Sequence, residues 1–279
     1  MAQQAKPIKR SFVIRGLDRW GELWLNIFGL IGGTYFLLQD VGMWIARAMF
    51  GRDVRFGRTA LVTQLVRVGS RATGIVMLVC GCVGLILALQ MEPQLAAYGQ
   101  SELIANIVGV SITRELGPLI AAIVLTGFAG AAIAAELGTM VVGEEIEALE
   151  AHALNPIRFL VVPRVLATTV GLVLLTIIGD LTAIFAGGFM SVMFLGVPYE
   201  LYKTNTLNAV ALQDFLTGLA KAGVFGLILS ALACYHGLGV TGGAAGVGRA
   251  TTATVVQAVV AVIIADLLFT TVFYSLGWA

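Results

Sequence analysis

Five charged side chains stand in or beside stretches of the sequence that are otherwise apolar. Arg114 and Glu115 stand together before a Gly-Pro pair, whereas Asp180, Lys221 and Asp266 each interrupt a long apolar run. A charge at membrane depth is costly, so such residues usually face a cavity or pair with one another. Arg114 and Glu115 are interpreted either as the polar part of a binding site or as a satisfied pair at a helix end. The sequence leaves open which of the other three meet.

Residues suited to covalent catalysis or metal binding are few. His152 and His236 have no Ser or Cys nucleophile at a recognisable spacing, and there is no HExxH pattern. Residues 237–242 match GxGxxG by letter, but that motif binds a dinucleotide only between a strand and a helix. No lysine follows a glycine, so the chain has no P-loop. We predict no catalytic residue, no metal site and no cofactor in this chain itself.

The composition is that of a membrane protein. Hydrophobic residues make up 58% of the 279 residues and charged residues only 12%, against roughly 25% charged residues in a soluble domain. The net charge of +1 gives no strong field for nucleic acid. These values exclude a soluble domain and predict an all-α, polytopic membrane protein.

Five apolar stretches are long enough to cross a bilayer, since a spanning helix needs about 20 mostly apolar residues. They are 72–91, 116–135, 165–197, 215–235 and 250–278. Within the second stretch, small residues recur every fourth position at 127, 131 and 135 and again at 130, 134 and 138. Such spacing lets helix backbones approach closely in lipid. We expect these small residues to form a packing surface.

The region before these spans is ambiguous. Residues 23–39 are uncharged and apolar, but basic residues flank them on both sides. Because basic flanks stay in the cytoplasm, we predict an interfacial or re-entrant helix in the inner leaflet. A sixth span with an external N-terminus is the alternative. We divide the chain into an N-terminal cytoplasmic and interfacial region, residues 1–60, and a membrane domain, residues 61–279.

The distribution of charge predicts an orientation. Eleven of the 17 basic residues precede Ala72, where the first full span begins, and short loops rich in Lys and Arg stay inside. Loops 92–113 and 198–214 are then expected outside, and loops 143–164 and 237–249 inside. The N-terminus is predicted to be cytoplasmic and the C-terminus periplasmic.

The internal loop contains a predicted acidic helix over 144–152, followed by Asn155 and Pro156 as the N-cap and first-turn proline of the next helix. This segment is either a solvated connector or a docking element for a soluble partner. Its length and two hydrophobic residues favour docking. Its candidate contact residues are Glu144, Glu145, Ile146, Glu147, Leu149 and Glu150.

Several separate motifs in this chain, in order and spacing, resemble the MlaE/YrbE family, the permease subunits of ABC transporters associated with MCE proteins. They are Arg-Glu-Leu-Gly-Pro at 114–118, the small-residue helix at 127–138, the acidic segment 144–150 with Asn-Pro at 155–156, Val-Pro-Arg-Val-Leu-Ala at 162–167 and Gly-Arg-Ala-Thr-Thr at 248–252. The resemblance runs from about residue 64 to the C-terminus and is less clear before it.

The resemblance implies a homodimer in the bacterial inner membrane, with an N-terminal interfacial helix and five spans in each protomer. It implies a cytoplasmic ATPase subunit, which binds ATP and Mg²⁺ and contacts the coupling helix at 144–150. It also implies an external ring of MCE-domain subunits, often a STAS-domain protein, and phospholipid moved between the inner and outer membranes.

For such a permease we expect an outward-facing apolar cavity with a polar mouth. Arg114 would be the natural partner of a lipid phosphate, because one guanidinium group donates two parallel hydrogen bonds to phosphate oxygens. The candidate lining residues are Leu85, Leu87, Leu89, Gln90, Arg114 and Glu115. Sterol or other hydrophobic cargo, a channel or scaffold without ATP coupling, and an intramembrane enzyme are the alternatives.

Overall fold

The computed structural model describes residues 12–50 and 58–277, and this part of the chain is helical without strands, as the composition predicts. The ten α-helices are α1 (Phe12–Phe50), α2 (Arg58–Ala96), α3 (Ile104–Ser111), α4 (Gly117–Leu125), α5 (Ala131–Val142), α6 (Glu145–Ala151), α7 (Val162–Met193), α8 (Tyr199–Ala209), α9 (Leu212–Leu238) and α10 (Gly243–Ser275).

Helices α3, α4 and α5 form one continuous rod, Ser101–Val142, because π-helical segments join them at Ile112–Leu116 and Thr126–Gly130. A third π-helical segment, Ile157–Val161, leads into α7. Two of these segments end just before a proline, Pro118 or Pro163. Proline has no backbone N–H and crowds the carbonyl four residues back. The wider turn, in which the Gly117 N–H bonds to the Ile112 carbonyl, accommodates that defect.

The long helices alternate in direction, so the bundle has two distinct ends. The end at which α6 lies, with the turn between α9 and α10, is called the α6 end. The end at which α8 packs on α3 is called the α8 end. By length and composition, six helices of the described chain could cross a membrane. Three of them contain the predicted stretches 72–91, 116–135 and 215–235, and two overlap the stretches 165–197 and 250–278 but end earlier, at Met193 and Ser275.

The predicted loops at the α8 end are largely helical. Helix α2 continues to Ala96, only 97–100 form a turn, and α3 then begins within the expected loop 92–113. Ile104 and Val108 of α3 are fully buried. Helix α8 occupies most of the expected loop 198–214 and covers α3. Residues 92–113 contain no Lys or Arg, which is compatible with an external loop and equally with helices that pack over the end of the bundle.

Small residues bring the helices into close contact. On α2, an added Cβ on Gly84 would lie 2.0 Å from the Ala183 carbonyl oxygen of α7. Of the two predicted small-residue rows in the second span, the one containing Gly130 and Gly138 packs against α9 and the turn that follows it. Gly127, in the other row, meets nothing. The row with Gly130 and Gly138 is therefore the close-packing surface, and the other row is open at Gly127.

Helix α1 lies outside the main bundle. Its buried residues Leu37 and Val41 pack in a cluster at the α6 end that includes Val161 and Cys234, and its Gly33 lies against the Tyr235 ring. Trp20 and Phe28, farther from that end, are exposed. The helix is long enough for a crossing, whereas its buried contacts lie at the α6 end. The predicted cytoplasmic N-terminus falls on residues 1–11, outside the described residues.

Candidate functional site

A buried lysine gathers two carboxylates from two other helices. The Lys221 Nζ of α9 lies 2.5 Å from Glu115 Oε2 and 3.0 Å from Asp266 Oδ1 of α10. It also donates to Thr270 Oγ1 at 3.0 Å, and the Thr270 hydroxyl donates to Glu115 Oε1 at 3.2 Å. These four residues are called the lysine cluster. The Lys221 side chain is 0% exposed, so its charge is stabilised by the two carboxylates rather than by water.

Backbone geometry explains why Lys221 reaches Glu115. Gly218 lies one turn before Lys221 on α9, and an added Cβ there would lie 2.0 Å from the Thr113 carbonyl oxygen. The missing side chain lets α9 press against the π-helical segment that carries Glu115. Residues three apart share one face of a helix, so the close approach at Gly218 directs Lys221 towards that segment.

The lysine cluster lies at membrane depth near the α8 end. Lys221 is nine residues after the start of α9 and Asp266 nine before the end of α10, which places both about 13 Å below those helix ends. Glu115 is 32% exposed and Asp266 16%, so the cluster opens to the surface of the chain through Glu115. A charge that is open at this depth needs a polar partner or a cavity beside it.

Arg114 belongs to a second ion pair beside the lysine cluster. Its Nη1 lies 3.7 Å from Asp214 Oδ1, and both side chains are largely buried. The Asp214 carboxylate also accepts the Ala211 N–H at 3.1 Å at the start of α9. Arg114 and Glu115, which were predicted as one polar site, thus contact different partners. Arg114 contacts Asp214, and Glu115 contacts Lys221.

Asp180 does not join the lysine cluster. It is 3% exposed on α7, and its Oδ1 has no hydrogen-bond partner in the described part of the chain. An added Cβ on Gly117 would lie 1.6 Å from this oxygen. The structure therefore answers the question that the sequence left open, by joining Lys221 to Asp266 and leaving Asp180 apart.

The predicted apolar lining of α2 divides between two faces. Leu89 and Gln90 are exposed, and Leu85 is half-buried on the same side as Leu89. Leu87 instead packs against the hydrophobic core. Successive residues of an α-helix turn by about 100°, so positions two apart point to nearly opposite sides. The helix does not place the three leucines on one face.

The predicted acidic helix is present as α6, Glu145–Ala151, with no buried residue. Ile146 and Leu149 are half-buried against the end of α5, and the glutamates are exposed. Glu144 precedes the helix in a left-handed conformation, at φ 58°. The Asn155 side chain accepts the Arg158 N–H at 3.2 Å, as predicted for an N-cap.

A second charged cluster, at the α6 end, was not predicted from the sequence. Glu136 Oε1 lies 2.9 Å from Arg67 Nη1 of α2, and Glu136 Oε2 lies 3.3 Å from Arg164 Nη2 of α7. The Arg164 guanidinium also donates to the Leu160 carbonyl at 2.8 Å. These three residues, Arg67, Glu136 and Arg164, are called the arginine cluster. One sequence signal was available. Glu136 directly follows the apolar stretch 116–135, and Arg164 directly precedes the stretch 165–197.

The charged groups of both clusters are able to bind a polar or charged ligand group. No group of three His, Cys, Asp or Glu residues that could hold a metal ion occurs in the described ranges 12–50 and 58–277. The charged groups are fixed by ion pairs next to apolar helix faces. Such a setting suits an amphipathic ligand with a charged head and apolar tails.

Comparison with known proteins gives matches over most of the chain. The family model described as Permease MlaE matches residues 61–272. A probable ABC transporter permease protein of Rickettsia typhi is 36% identical over 257 residues, which are 90% of this chain and 99% of that protein. A probable ABC transporter permease protein of Synechocystis is 33% identical over 252 residues, 90% of this chain and 92% of the relative.

A plant protein is similar over a shorter length. The protein named TRIGALACTOSYLDIACYLGLYCEROL 1, chloroplastic, of Arabidopsis thaliana is 33% identical over 212 residues, which are 76% of this chain and 61% of the plant protein. The region matched by the family model, residues 61–272, includes both charged clusters and α6.

Proposed function

The chain belongs to the MlaE family of ABC transporter permeases, and from this premise we propose that it moves phospholipid between the inner and outer membranes of a bacterium. The observation that carries this cargo is the lysine cluster, which places fixed charges at membrane depth and opens through Glu115. A sterol has a single uncharged hydroxyl group to place against these charges, whereas a charged phospholipid head group needs several polar contacts of this kind.

The surroundings of the lysine cluster support a two-part ligand. Arg114 lies beside it and offers a guanidinium for a lipid phosphate. The exposed face of α2 that carries Leu85, Leu89 and Gln90 is a separate, largely apolar surface, which we propose for the acyl chains. The Arabidopsis relative carries the name of a glycerolipid, trigalactosyldiacylglycerol. A glycerolipid cargo is consistent with that name.

We further propose that the working unit is a homodimer. The lysine cluster opens on one side of a single protomer. Of the five main spans, α10 beside it is the least buried, because only 17% of the residues in its most apolar part are buried. A second protomer would enclose the open side and create a cavity between two copies. An external ring of MCE-domain subunits would then receive or deliver lipid at the α8 end.

The proposed energy source is a separate cytoplasmic ATPase, which binds ATP and Mg²⁺ and docks on α6. The exposed glutamates of α6 present negative charge, and Ile146 and Leu149 join this surface to α5. Motion of α6 would therefore pass to the rod that carries Glu115 at its other end. A STAS-domain protein bound to the ATPase is the remaining proposed partner.

The proposed orientation places the α6 end in the cytoplasm and the C-terminus in the periplasm. The arginine cluster supports this orientation, because Lys and Arg near the ends of membrane spans favour the cytoplasmic side. Helix α1 would then lie in the inner leaflet, where its buried residues meet the bundle.

The cargo is tested by mass spectrometry of lipids retained by the complex purified from its own membrane. We expect phospholipid in the wild type and a several-fold loss in Arg114→Gln. Lys203→Gln is the matched control, because it removes one exposed positive charge from the same end. Equal retention in both variants, or sterol in place of phospholipid, would refute the assignment.

The ATPase contact is tested by reversing charge on α6. Glu147→Lys with Glu150→Lys should abolish co-purification of the ATPase and the ATP hydrolysis of the complex. Glu200→Lys on α8 is the control, since it reverses an exposed acid at the opposite end. A wild-type protein that brings no ATPase with it would instead favour a channel or scaffold.

A further inference from the structure

A cleft of about 150 Å³ lies at the α6 end between α2 and the rod that contains α5. One part of its wall is polar and carries Gln64, Arg67, Arg71 and Glu136. The other part is apolar and is formed largely by small residues and Phe128, which is 42% exposed. The cleft thus joins a polar pocket to a lipid-facing apolar surface.

The polar part of the cleft carries an excess of positive charge. Glu136 forms ion pairs with Arg67 at 2.9 Å and with Arg164 at 3.3 Å. Arg164 itself does not line the cleft. Arg71 lies one turn along α2 from Arg67 and is exposed, and no carboxylate of the described chain pairs with it. The cleft and its immediate surroundings therefore contain three guanidinium groups and one carboxylate, and this excess of positive charge attracts an anion.

The depth of the cleft matches the head-group layer of a bilayer. Arg71 is the last residue before the apolar stretch of α2, and Glu136 is the first residue after the apolar stretch of the neighbouring rod. The polar wall thus lies at the boundary between water and hydrocarbon on the α6 side. The apolar wall, with Phe128 two turns back along the rod, extends into the hydrocarbon.

We propose that this cleft binds an anionic glycerophospholipid of the leaflet at the α6 end, with its phosphate on Arg71 and Arg67 and one acyl chain along Phe128. The shape and the charge of the cleft both fit that ligand. Charge-assisted hydrogen bonds from guanidinium to phosphate are strong and directional, and the acyl chain would cover an apolar surface beside them. This site lies in the leaflet opposite to the lysine cluster.

The inference depends on the membrane placement of the chain and is independent of the proposed cargo. A lipid held here would tie α2 to the rod at the point where Arg67 and Glu136 already join them. Because Arg71 makes no ion pair in the described chain, its substitution should weaken lipid binding without breaking the arginine cluster.

The test is native mass spectrometry of the purified protein titrated with dioleoylphosphatidylglycerol or dioleoylphosphatidylcholine. We expect the wild type to prefer the anionic lipid, and Arg71→Gln to weaken binding of that lipid about tenfold, the effect of losing one charge-assisted hydrogen bond. Lys203→Gln, which removes an exposed charge at the α8 end, should leave the preference unchanged. The thermal unfolding midpoint of each variant checks that it is folded.

Four results would overturn this assignment. Equal binding by the wild type and Arg71→Gln would show that the cleft is not the site. Binding of sn-glycerol 3-phosphate as tight as that of the lipid would assign it to a soluble anion, and a changed oligomeric state in Arg71→Gln would assign it to a contact between copies. Loss of the preference in Arg114→Gln alone would place the lipid at the α8 end and leave the cargo proposal standing.

Discussion

The lysine cluster and the arginine cluster have opposite patterns of charge. In the first, one cation, Lys221, is held between two carboxylates. In the second, one carboxylate, Glu136, is held between two guanidinium groups. Each cluster joins three of the long helices, and each lies towards one end of the bundle.

The two clusters also differ in their access to water. Lys221 is 0% exposed, whereas Glu136 is 32% exposed and Arg67 43%. Removing one partner of a buried ion pair leaves an uncompensated charge in a medium that cannot solvate it, while exposed pairs are stabilised by water whether or not they meet. Substitution of Lys221 should therefore be costly and substitution of the exposed Arg67 cheap, with Arg164, which is 6% exposed, between them.

The largest expected effect is that of Lys221→Met. It leaves Glu115 and Asp266 close together without their cation and should destabilise the fold by about 3–5 kcal/mol. The measurement is the thermal unfolding midpoint and the yield of monodisperse protein in detergent. The triple variant that also carries Glu115→Gln and Asp266→Asn should recover much of the loss. A single variant as stable as the wild type would show that the lysine cluster is not a buried network.

Gly218→Ala should have the next largest effect. The new Cβ would lie 2.0 Å from the Thr113 carbonyl oxygen, so α9 must move away from the π-helical segment, at a cost of about 1–3 kcal/mol. Gly223→Ala on the same helix is the matched control, because its Cβ would meet only Val173, at an ordinary 3.9 Å. Similar unfolding midpoints for the two variants would contradict the close approach.

Arg164→Met should be less damaging, at about 1–2 kcal/mol. It removes the hydrogen bond to the Leu160 carbonyl and one of the two partners of Glu136, but Arg67 and water still compensate the carboxylate. The unfolding midpoint of this variant should lie clearly above that of Lys221→Met. The reverse order would mean that burial does not separate the two clusters.

Arg67→Ala should have the smallest effect, between about 0 and 1 kcal/mol, because both partners of its ion pair are partly exposed. The difference between this variant and the wild type should shrink further when unfolding is measured in 1 M salt, at which exposed charges are screened beyond roughly 3 Å. A loss as large as that of Arg164→Met would show that Arg67 is held more tightly than its exposure indicates.

Much of the architecture could be predicted from local patterns. The apolar stretches coincide with the long helices, although two of them were predicted to extend a few residues too far. The acidic helix predicted over 144–152 is observed as Glu145–Ala151 with Asn155 as a cap after it. These features depend on residues close together in the chain. Helix α3 was mistaken for part of a loop, because the apolar run that starts at Ile104 is too short to indicate a span by itself.

The site was predictable only in part. Charges in apolar surroundings identified Glu115, Lys221 and Asp266 as unusual, but nothing in their spacing showed that they meet. The sequence also did not show that Leu87 of α2 faces the core. The orientation of a helix is predicted from the contrast between an apolar and a polar face, and this stretch of α2 has no polar face.

The sequence by itself determined that this chain is a helical membrane protein, where its apolar helices lie and which flanks are basic, because each of these follows from the transfer of nearby side chains between water and lipid. Only the tertiary structure decided which charges pair. Lys221 is 106 residues from Glu115 and 45 from Asp266, so their meeting depends on the register between helices. That register is set by backbone contacts such as Gly218 on Thr113.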